Sequence, residues 1–324
     1  SPIATDWAAG IVAPMARTLN EYPGASYAPL RVAAASYLGV DPDNIVPGAG
    51  IDELILLIAK TFLGPGARAA AVVPTYPLYE IASLHCGGEF IGVPYDTGLT
   101  FPSEEMSRVS ETAEVVWLCV PNNPTGERVP DEAISDILRR AKGIVVIDAA
   151  YAEFAGDTWA RWVERYSNLF VLHTMSKAFG LAGLRVGFAM GRPELIDAID
   201  AVRPPGSIAS ISAEIAEVAL REPQRMHRAV QRIVEEREHL GASLHGLGFT
   251  VMSSRTNFIL CHVGPHARDL AARVLAEGLV VRTYEAGHML GEFLRFTVRS
   301  PGDNRRLVDT MLAHLPNSIA GATP

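Results

Sequence analysis

Short apolar runs bounded by Gly, Pro and Asn alternate along this chain with longer stretches whose apolar residues recur at helical spacing. The runs at 69–73, 89–93, 114–119, 144–147, 169–173 and 186–190 predict strands, and the stretches 52–62, 78–86, 131–141 and 193–201 predict helices between them. Such alternation is the pattern of an α/β protein with a mainly parallel sheet. The character then changes. Residues 211–247 read as one long helical stretch, with Arg232, Glu235, Glu236, Arg237 and Glu238 on an exposed face. Beyond it, strands are predicted at 249–252, 257–262, 279–283 and 293–298, with helices at 267–277 and 305–313. The pattern divides into a large unit, 45–240, and a smaller one formed by 1–44 and 241–324.

With 324 residues, the chain is long enough to bury a large core in two units. Its 48% hydrophobic and 20% charged content is that of a globular enzyme and excludes a disordered chain. A net charge of -8 and the lack of any Lys/Arg block argue against a nucleic-acid partner. The longest apolar runs, 69–74 and 143–150, are too short to cross a bilayer. No basic-then-apolar signal segment opens the chain, and Ser1-Pro2 suggests a start methionine removed or omitted. Cys86, Cys119 and Cys261 are widely spaced, which fits reduced thiols in a cytoplasm and gives no zinc pattern.

Chemistry enters where the runs end. Lys177 follows the 169–173 run in H-T-M-S-K-A-F-G-L-A-G-L-R-V-G-F, with Arg185 eight residues on. An amine in such a Ser/Thr/Gly-rich turn binds phosphate as a point charge, forms a Schiff base, or is simply solvated. The Schiff base requires deprotonation near neutral pH, which burial and nearby positive charge favour. Features elsewhere in the chain decide for chemistry. G-A-G-I-D-E-L-I runs a glycine-rich turn into a helix at Ile51 or Asp52, whose backbone N–H groups would form an anion site. A plain turn capped by Asp52 fits the same string. V-P-T-Y-P-L-Y sets Tyr76 at the carboxyl edge of the sheet, stacked on a flat ring or packed in the core.

C-V-P-N-N-P-T-G is a rigid loop that can present the Asn123 amide to a phenolate-like oxygen. V-V-I-D-A-A-Y-A-E-F ends an apolar strand on Asp148, whose carboxylate is costly to bury unpaired. A pyridinium N–H would pair with it, and Tyr151 could reach another edge of the same ring; helix capping is the alternative. Thr174, Ser176 and Arg185 offer two hydroxyls and a guanidinium to a phosphate. All five features become coherent if the ligand is an aromatic phosphate aldehyde.

In order along the chain, N-E-Y-P, G-x-G-x-D-E-L-I, P-N-N-P-T-G, D-x-A-Y-x-E-F, S-K-A-F-G-L-A-G-L-R-x-G, T-N-F-I-L and L-R-F-T-V appear between about residues 20 and 315. Together they resemble the fold-type I, pyridoxal-phosphate-dependent aminotransferases, most closely the histidinol-phosphate aminotransferase family. The resemblance implies a three-layer large domain with a mainly parallel sheet, a smaller α/β domain and pyridoxal 5'-phosphate as cofactor. It implies that Lys177 holds the cofactor covalently and, once freed, moves the substrate proton. Asp148 would keep the ring nitrogen protonated, Asn123 and Tyr151 would flank the phenolic oxygen, and Tyr76 would stack on the ring. Ile51 and Asp52, through their backbone N–H groups, would hold the phosphate with Thr174, Ser176 and Arg185. Tyr22 would reach the phosphate held by a partner subunit, which makes the expected assembly a homodimer with shared sites.

Arg295 and Arg282 would bind the substrate's carboxylate or phosphate, with Asn257 close by; surface charges are the alternative for both arginines. Three positions depart from the family pattern. The first ten residues, S-P-I-A-T-D-W-A-A-G, lack the family's N-E-N-P-like string, Ala149 stands where a glutamate is usual, and Arg299 where a small residue is usual. The implied activity moves an amino group from histidinol phosphate to 2-oxoglutarate, on small-molecule amine and keto-acid substrates. An aromatic or specialised-metabolite amino acid aminotransferase, or a threonine-phosphate decarboxylase-like enzyme, shares these motifs. A non-catalytic regulator would need an added DNA-binding segment, and none is visible.

Overall fold

The structure, a computed structural model, describes residues 5–315. The inference from Ser1 and Pro2 lies outside these residues, as do 316–324 of the smaller unit. Seven strands form the main sheet: β1 (Ile45–Gly48), β2 (Arg68–Val73), β3 (Glu89–Pro94), β4 (Val115–Cys119), β5 (Ile144–Asp148), β6 (Leu169–Thr174) and β7 (Gly187–Met190). Their order is β1-β7-β6-β5-β4-β2-β3, with β3, β2, β4, β5 and β6 parallel and β7 antiparallel to both its neighbours. A second sheet of β8 (Thr250–Val251), β9 (Phe258–His262) and β10 (Phe293–Thr297) is antiparallel, in the order β10-β9-β8.

Sequence explains the layering. V-V-W-L-C in β4 and I-V-V-I-D in β5 are buried at every position, so both sheet faces are covered. Parallel neighbours require crossovers, supplied by helices such as Leu78–His85 between β2 and β3 and Asp131–Arg140 between β4 and β5. The latter has Ala133, Ile134, Ile137 and Leu138 on its buried face, with Asp131 and Glu132 in its first turn and Arg139 and Arg140 in its last. In register, Cys119 lies opposite Asp148 and Asp148 opposite Leu172. The carboxyl ends of β4, β5 and β6 therefore open on one edge, and that edge carries the site.

Several expectations are corrected. The stretch 211–247 is two helices, Ser210–Arg221 and Gln224–Gly246. Glu222 leaves helical geometry at φ -122° and ψ 58°, as a residue before proline prefers to do. Arg237 is buried rather than exposed, because Nη1 donates to the Thr256 carbonyl at 3.0 Å beneath the second sheet. Residues 279–283 form no strand; Arg282 alone bridges Arg295, and the Leu279 N–H turns back to Val274. Several elements were not read from the sequence, β1 and the helix Ser103–Ser110 among them. β1 is only I-V-P-G, and its Pro47 is tolerated because the strand lies at the sheet edge. Helix Ser103–Ser110 buries a single large apolar side chain, Met106.

The helix Ala28–Leu38 packs on Ser210–Arg221 and on β1. Among the described residues no helix is long and apolar enough to cross a membrane.

Gly143, just before β5, is needed for space. A Cβ there would lie 2.1 Å from the Glu114 carbonyl oxygen, a backbone atom with no room to retreat. Gly143→Ala is therefore predicted to cost at least 1–3 kcal/mol, roughly the cost of overpacking. Gly64→Ala, where nothing lies within 4 Å, should leave the melting temperature nearly unchanged. Thermal unfolding of the two variants checks the contrast, and equal melting temperatures would refute it.

Candidate active site

Asp148 ends β5 with 3% of its surface exposed. Its Oδ2 accepts from the Tyr79 hydroxyl at 2.6 Å, and its Oδ1 from the Ala150 N–H at 3.0 Å. Burial nonetheless raises its pKa to about 6, against the pull of these donors and of Lys177. Its strand-end position is filled by hydrogen bonding to the next turn, and one pocket holds both Asp148 and Lys177.

Lys177 lies in the turn after β6, where its carbonyl accepts from the Gly180 N–H at 3.1 Å. Its Nζ stands 5.7 Å from the centre of the Tyr151 ring. Burial holds the amine pKa below the usual lysine range and Arg295 lowers it further, while Asp148 opposes both. The shift favours the free-base form that a Schiff-base lysine needs.

The anion end of the pocket is built from a helix start and a guanidinium. The helix Gly50–Phe62 is capped by Ala49, so Asp52 is not its cap. Gly50 has φ 78°, and a Cβ on it would lie 2.8 Å from Arg185 Nη2. A Cβ on Gly187 would lie 2.8 Å from the Ile51 nitrogen. Both glycines keep the helix N-terminus open. Arg185 occupies the left-handed region at φ 53°, a conformation that costs a non-glycine residue roughly 1–2 kcal/mol. Its Nη2 donates to Asp52 Oδ2 at 2.9 Å, and its Nη1 to Ser176 Oγ at 3.4 Å. The Ser176 N–H in turn donates to Thr174 Oγ1 at 3.1 Å.

Asp52 thus contributes a side chain as well as a backbone N–H, since its Oδ1 also accepts from the Tyr76 hydroxyl at 3.0 Å. Burial, then Asp52, pushes the Tyr76 phenol up to about 12, so it stays protonated as a donor. Tyr76 lines the pocket half-buried. Asn123 follows β4, and its Oδ1 accepts from Arg295 Nη1. Arg295 comes from β10 in the second sheet and places its guanidinium 4.9 Å over Phe258. Tyr151 meets Phe258 edge-on at 5.3 Å and 88°. The site is closed by groups from both sheets.

Every residue expected to hold the cofactor lines this single pocket, except Tyr22. Tyr22 is 96% exposed, beside Gly206 and away from the pocket. Arg295 joins the site through Asn123. Arg282 pairs with it only through the backbone and has an exposed side chain, and Asn257 is half-buried outside the pocket lining. Two residues were passed over in the sequence. Tyr79 was visible as the second tyrosine of V-P-T-Y-P-L-Y, three residues after Tyr76 and so on the same side of a helix start. Cys119, a pocket residue, was visible only as the last position of its strand.

The donor set fits a phosphorylated pyridine aldehyde. A helix start, two hydroxyls and a guanidinium suit the phosphate; a buried carboxylate suits a ring N–H; an amine suits the aldehyde. No group of three or more His, Cys, Asp or Glu able to hold a metal occurs among the described residues.

Comparison with known proteins agrees. The family model for aminotransferase class I and II matches residues 5–311. The histidinol-phosphate aminotransferase of Ruminiclostridium cellulolyticum is 34% identical over 302 residues, covering 91% of this chain and 84% of that protein. Among solved structures, the histidinol-phosphate aminotransferase from Sinorhizobium meliloti in complex with pyridoxal-5'-phosphate aligns with a TM-score of 0.86 and 25% identity, over 98% of this chain and 88% of that chain. The enzyme from Clostridium acetobutylicum aligns with a TM-score of 0.89 and 25% identity, over 96% of each.

The Asp148 carboxyl also makes stability depend on pH. Folded Asp148 holds its proton more tightly than an unfolded carboxyl with a pKa of about 3.9, so stability falls as pH rises from there to about 6. Cofactor-free Asp148→Asn, which carries no charge, should therefore gain on the parent protein by about 3 kcal/mol above pH 7, with little gain at pH 4. Melting curves at the two pH values check this; a gain that is the same at both would refute it.

Proposed function

The chain belongs to the class I and II aminotransferases, and from that premise we propose that it transfers the amino group of histidinol phosphate to 2-oxoglutarate in a ping-pong sequence through one pocket. The observation that carries this reading is a half-buried lysine of lowered pKa sharing a pocket with a buried carboxylate and an anion cup. Pyridoxal 5'-phosphate, when bound, supplies the electron sink that makes the substrate's carbon acidic. Lys177 is assigned as the group that holds the cofactor and, when free, carries the proton at its Nζ. Asp148 is assigned to the ring nitrogen, Tyr76 to the ring face, and Asn123 with Tyr151 to the phenolic oxygen. The Ile51 and Asp52 N–H groups, Thr174, Ser176 and Arg185 are assigned to the phosphate.

Arg295 is assigned to an anionic group of the substrate. Its Nε is buried without a hydrogen-bond partner among the described residues, so the cation has donor capacity left after binding Asn123. Arg282 and Asn257 are assigned a supporting part on the substrate side. The exposure of Tyr22 supports a homodimer in which this side chain completes the partner's cup. A cytoplasmic setting is consistent with three free cysteines, Cys86, Cys119 and Cys261.

Purified protein is predicted to show near-visible absorption from the lysine-bound cofactor and to become permanently labelled on borohydride reduction. Lys177→Ala should abolish that labelling; labelling that persists would sink the assignment. Adding histidinol phosphate alone should bleach the band, and an unchanged spectrum would remove this donor from the proposal. Arg295→Ala should raise the KM for the phosphorylated donor about ten- to a hundred-fold, the value of a hydrogen bond to a charged group. A KM unchanged in steady-state kinetics would free Arg295 from that role.

A further inference from the structure

Tyr79 has no place in the chemistry assigned so far, yet its hydroxyl makes the closer of Asp148's two hydrogen bonds. The side chain is 0% exposed, and the hydroxyl meets the carboxylate at 2.6 Å. The ring is fixed on two sides. It lies flat on Trp117 at 5.4 Å and 4°, and meets Tyr76 edge-on at 5.7 Å and 80°. One hydroxyl ties this packing to the backbone: Trp117 Nε1 donates to Ser83 Oγ at 3.3 Å, and Ser83 Oγ donates to the Tyr79 carbonyl at 2.6 Å. A tyrosine needed only for its bulk would leave a buried hydroxyl to be satisfied, whereas this one is aimed at a single carboxylate.

We propose that Tyr79 is a positioning residue, whose phenol holds the Asp148 carboxylate ionised and fixed in direction toward the cofactor's ring nitrogen. The proposal rests on the assignment of Asp148 to that nitrogen. The groups facing Asp148 leave few substitutes. Lys177, from the turn after β6, favours its charge; Asp52, from the helix after β1, opposes it. Cys119 lies across from it on β4, and Tyr76 and Tyr151 are further neutral neighbours whose phenols it disfavours from ionising. Among the described residues Tyr79 is the only side chain that donates a hydrogen bond to it; the other donor is the Ala150 N–H. Without the phenol, the proton shared between ring nitrogen and carboxylate shifts toward the carboxylate. The electron sink weakens, although every group that touches the substrate is unchanged.

Tyr79→Phe in the holoenzyme keeps the packing and deletes the donor. Cofactor retention after dialysis, followed by absorbance from pH 5 to 9, should weaken about ten- to a hundred-fold, the value of a hydrogen bond to a charged group. The acid limb of the retention profile should move to higher pH, and kcat should fall with KM little changed. Tyr79→His, which restores a donor, should recover part of the loss. Ser83→Ala keeps the phenol but loosens its clamp, and should move the limb the same way by less; it serves as the test if Tyr79→Phe does not fold.

A Tyr79→Phe protein that melts lower but keeps the parent retention profile would overturn the proposal, leaving a purely structural tyrosine. Asp148→Asn separates the two levels. If it retains cofactor like the parent, the Asp148 assignment itself fails. If it loses cofactor while Tyr79→Phe does not, only the role of Tyr79 fails.

Discussion

Burying the Asp148 carboxyl at the end of β5 removes the water that would stabilise its charge, a cost of several kcal/mol for an unpaired ion. The chain meets this cost in stages. The turn after the strand supplies the Ala150 N–H, and a crossover helix supplies the Tyr79 phenol. Even so, burial leaves the group with a pKa of about 6, and the pocket still lacks a cation fully matched to it. A protonated ring nitrogen is such a cation. The same burial that makes the carboxylate uncomfortable also lowers the Lys177 amine. One low-dielectric pocket therefore acts on both groups: it favours the free amine of Lys177 and disfavours the Asp148 charge, which the Tyr79 and Ala150 donors restore in part.

Parallel strands make this economical. Because β4, β5 and β6 run the same way, Cys119 and Asp148 end side by side, β6 runs two residues past Leu172 to Thr174, and the loops that follow deliver Asn123, Tyr151 and Lys177 to the same edge. The antiparallel β7 then brings Gly187 against the start of the Gly50–Phe62 helix, so the anion cup is made where the sheet changes direction. The second sheet adds Arg295 from across the cleft. The pocket lining and Arg295 thus come from different sheets.

That division also decides what could be read in advance. The apolar runs of β4, β5 and β6 were legible because burial on both faces leaves no polar position to confuse them. Asp148 stood out because a carboxylate ending such a run is costly to bury unpaired, whereas Lys177, four residues past its run, stood out only through the motifs elsewhere in the chain. Contacts made by backbone geometry were not. The break at Glu222 depends on Pro223 inside an otherwise helical pattern, and burial of Arg237 depends on a carbonyl nineteen residues away. Tyr79 was hidden for a similar reason: a tyrosine on a helix looks the same whether its hydroxyl meets water or a carboxylate. Of the three substrate-side residues, Arg295 bonds to a pocket residue, Asn123, while Arg282 and Asn257 lie outside the pocket lining.

The two glycines of the anion cup carry an evolutionary consequence. Gly50 and Gly187 each face an atom 2.8 Å from where any side chain would begin, so almost no substitution at either can be neutral. Change at the start of the Gly50–Phe62 helix is therefore confined by sterics, because a side chain begun at either glycine would enter occupied space.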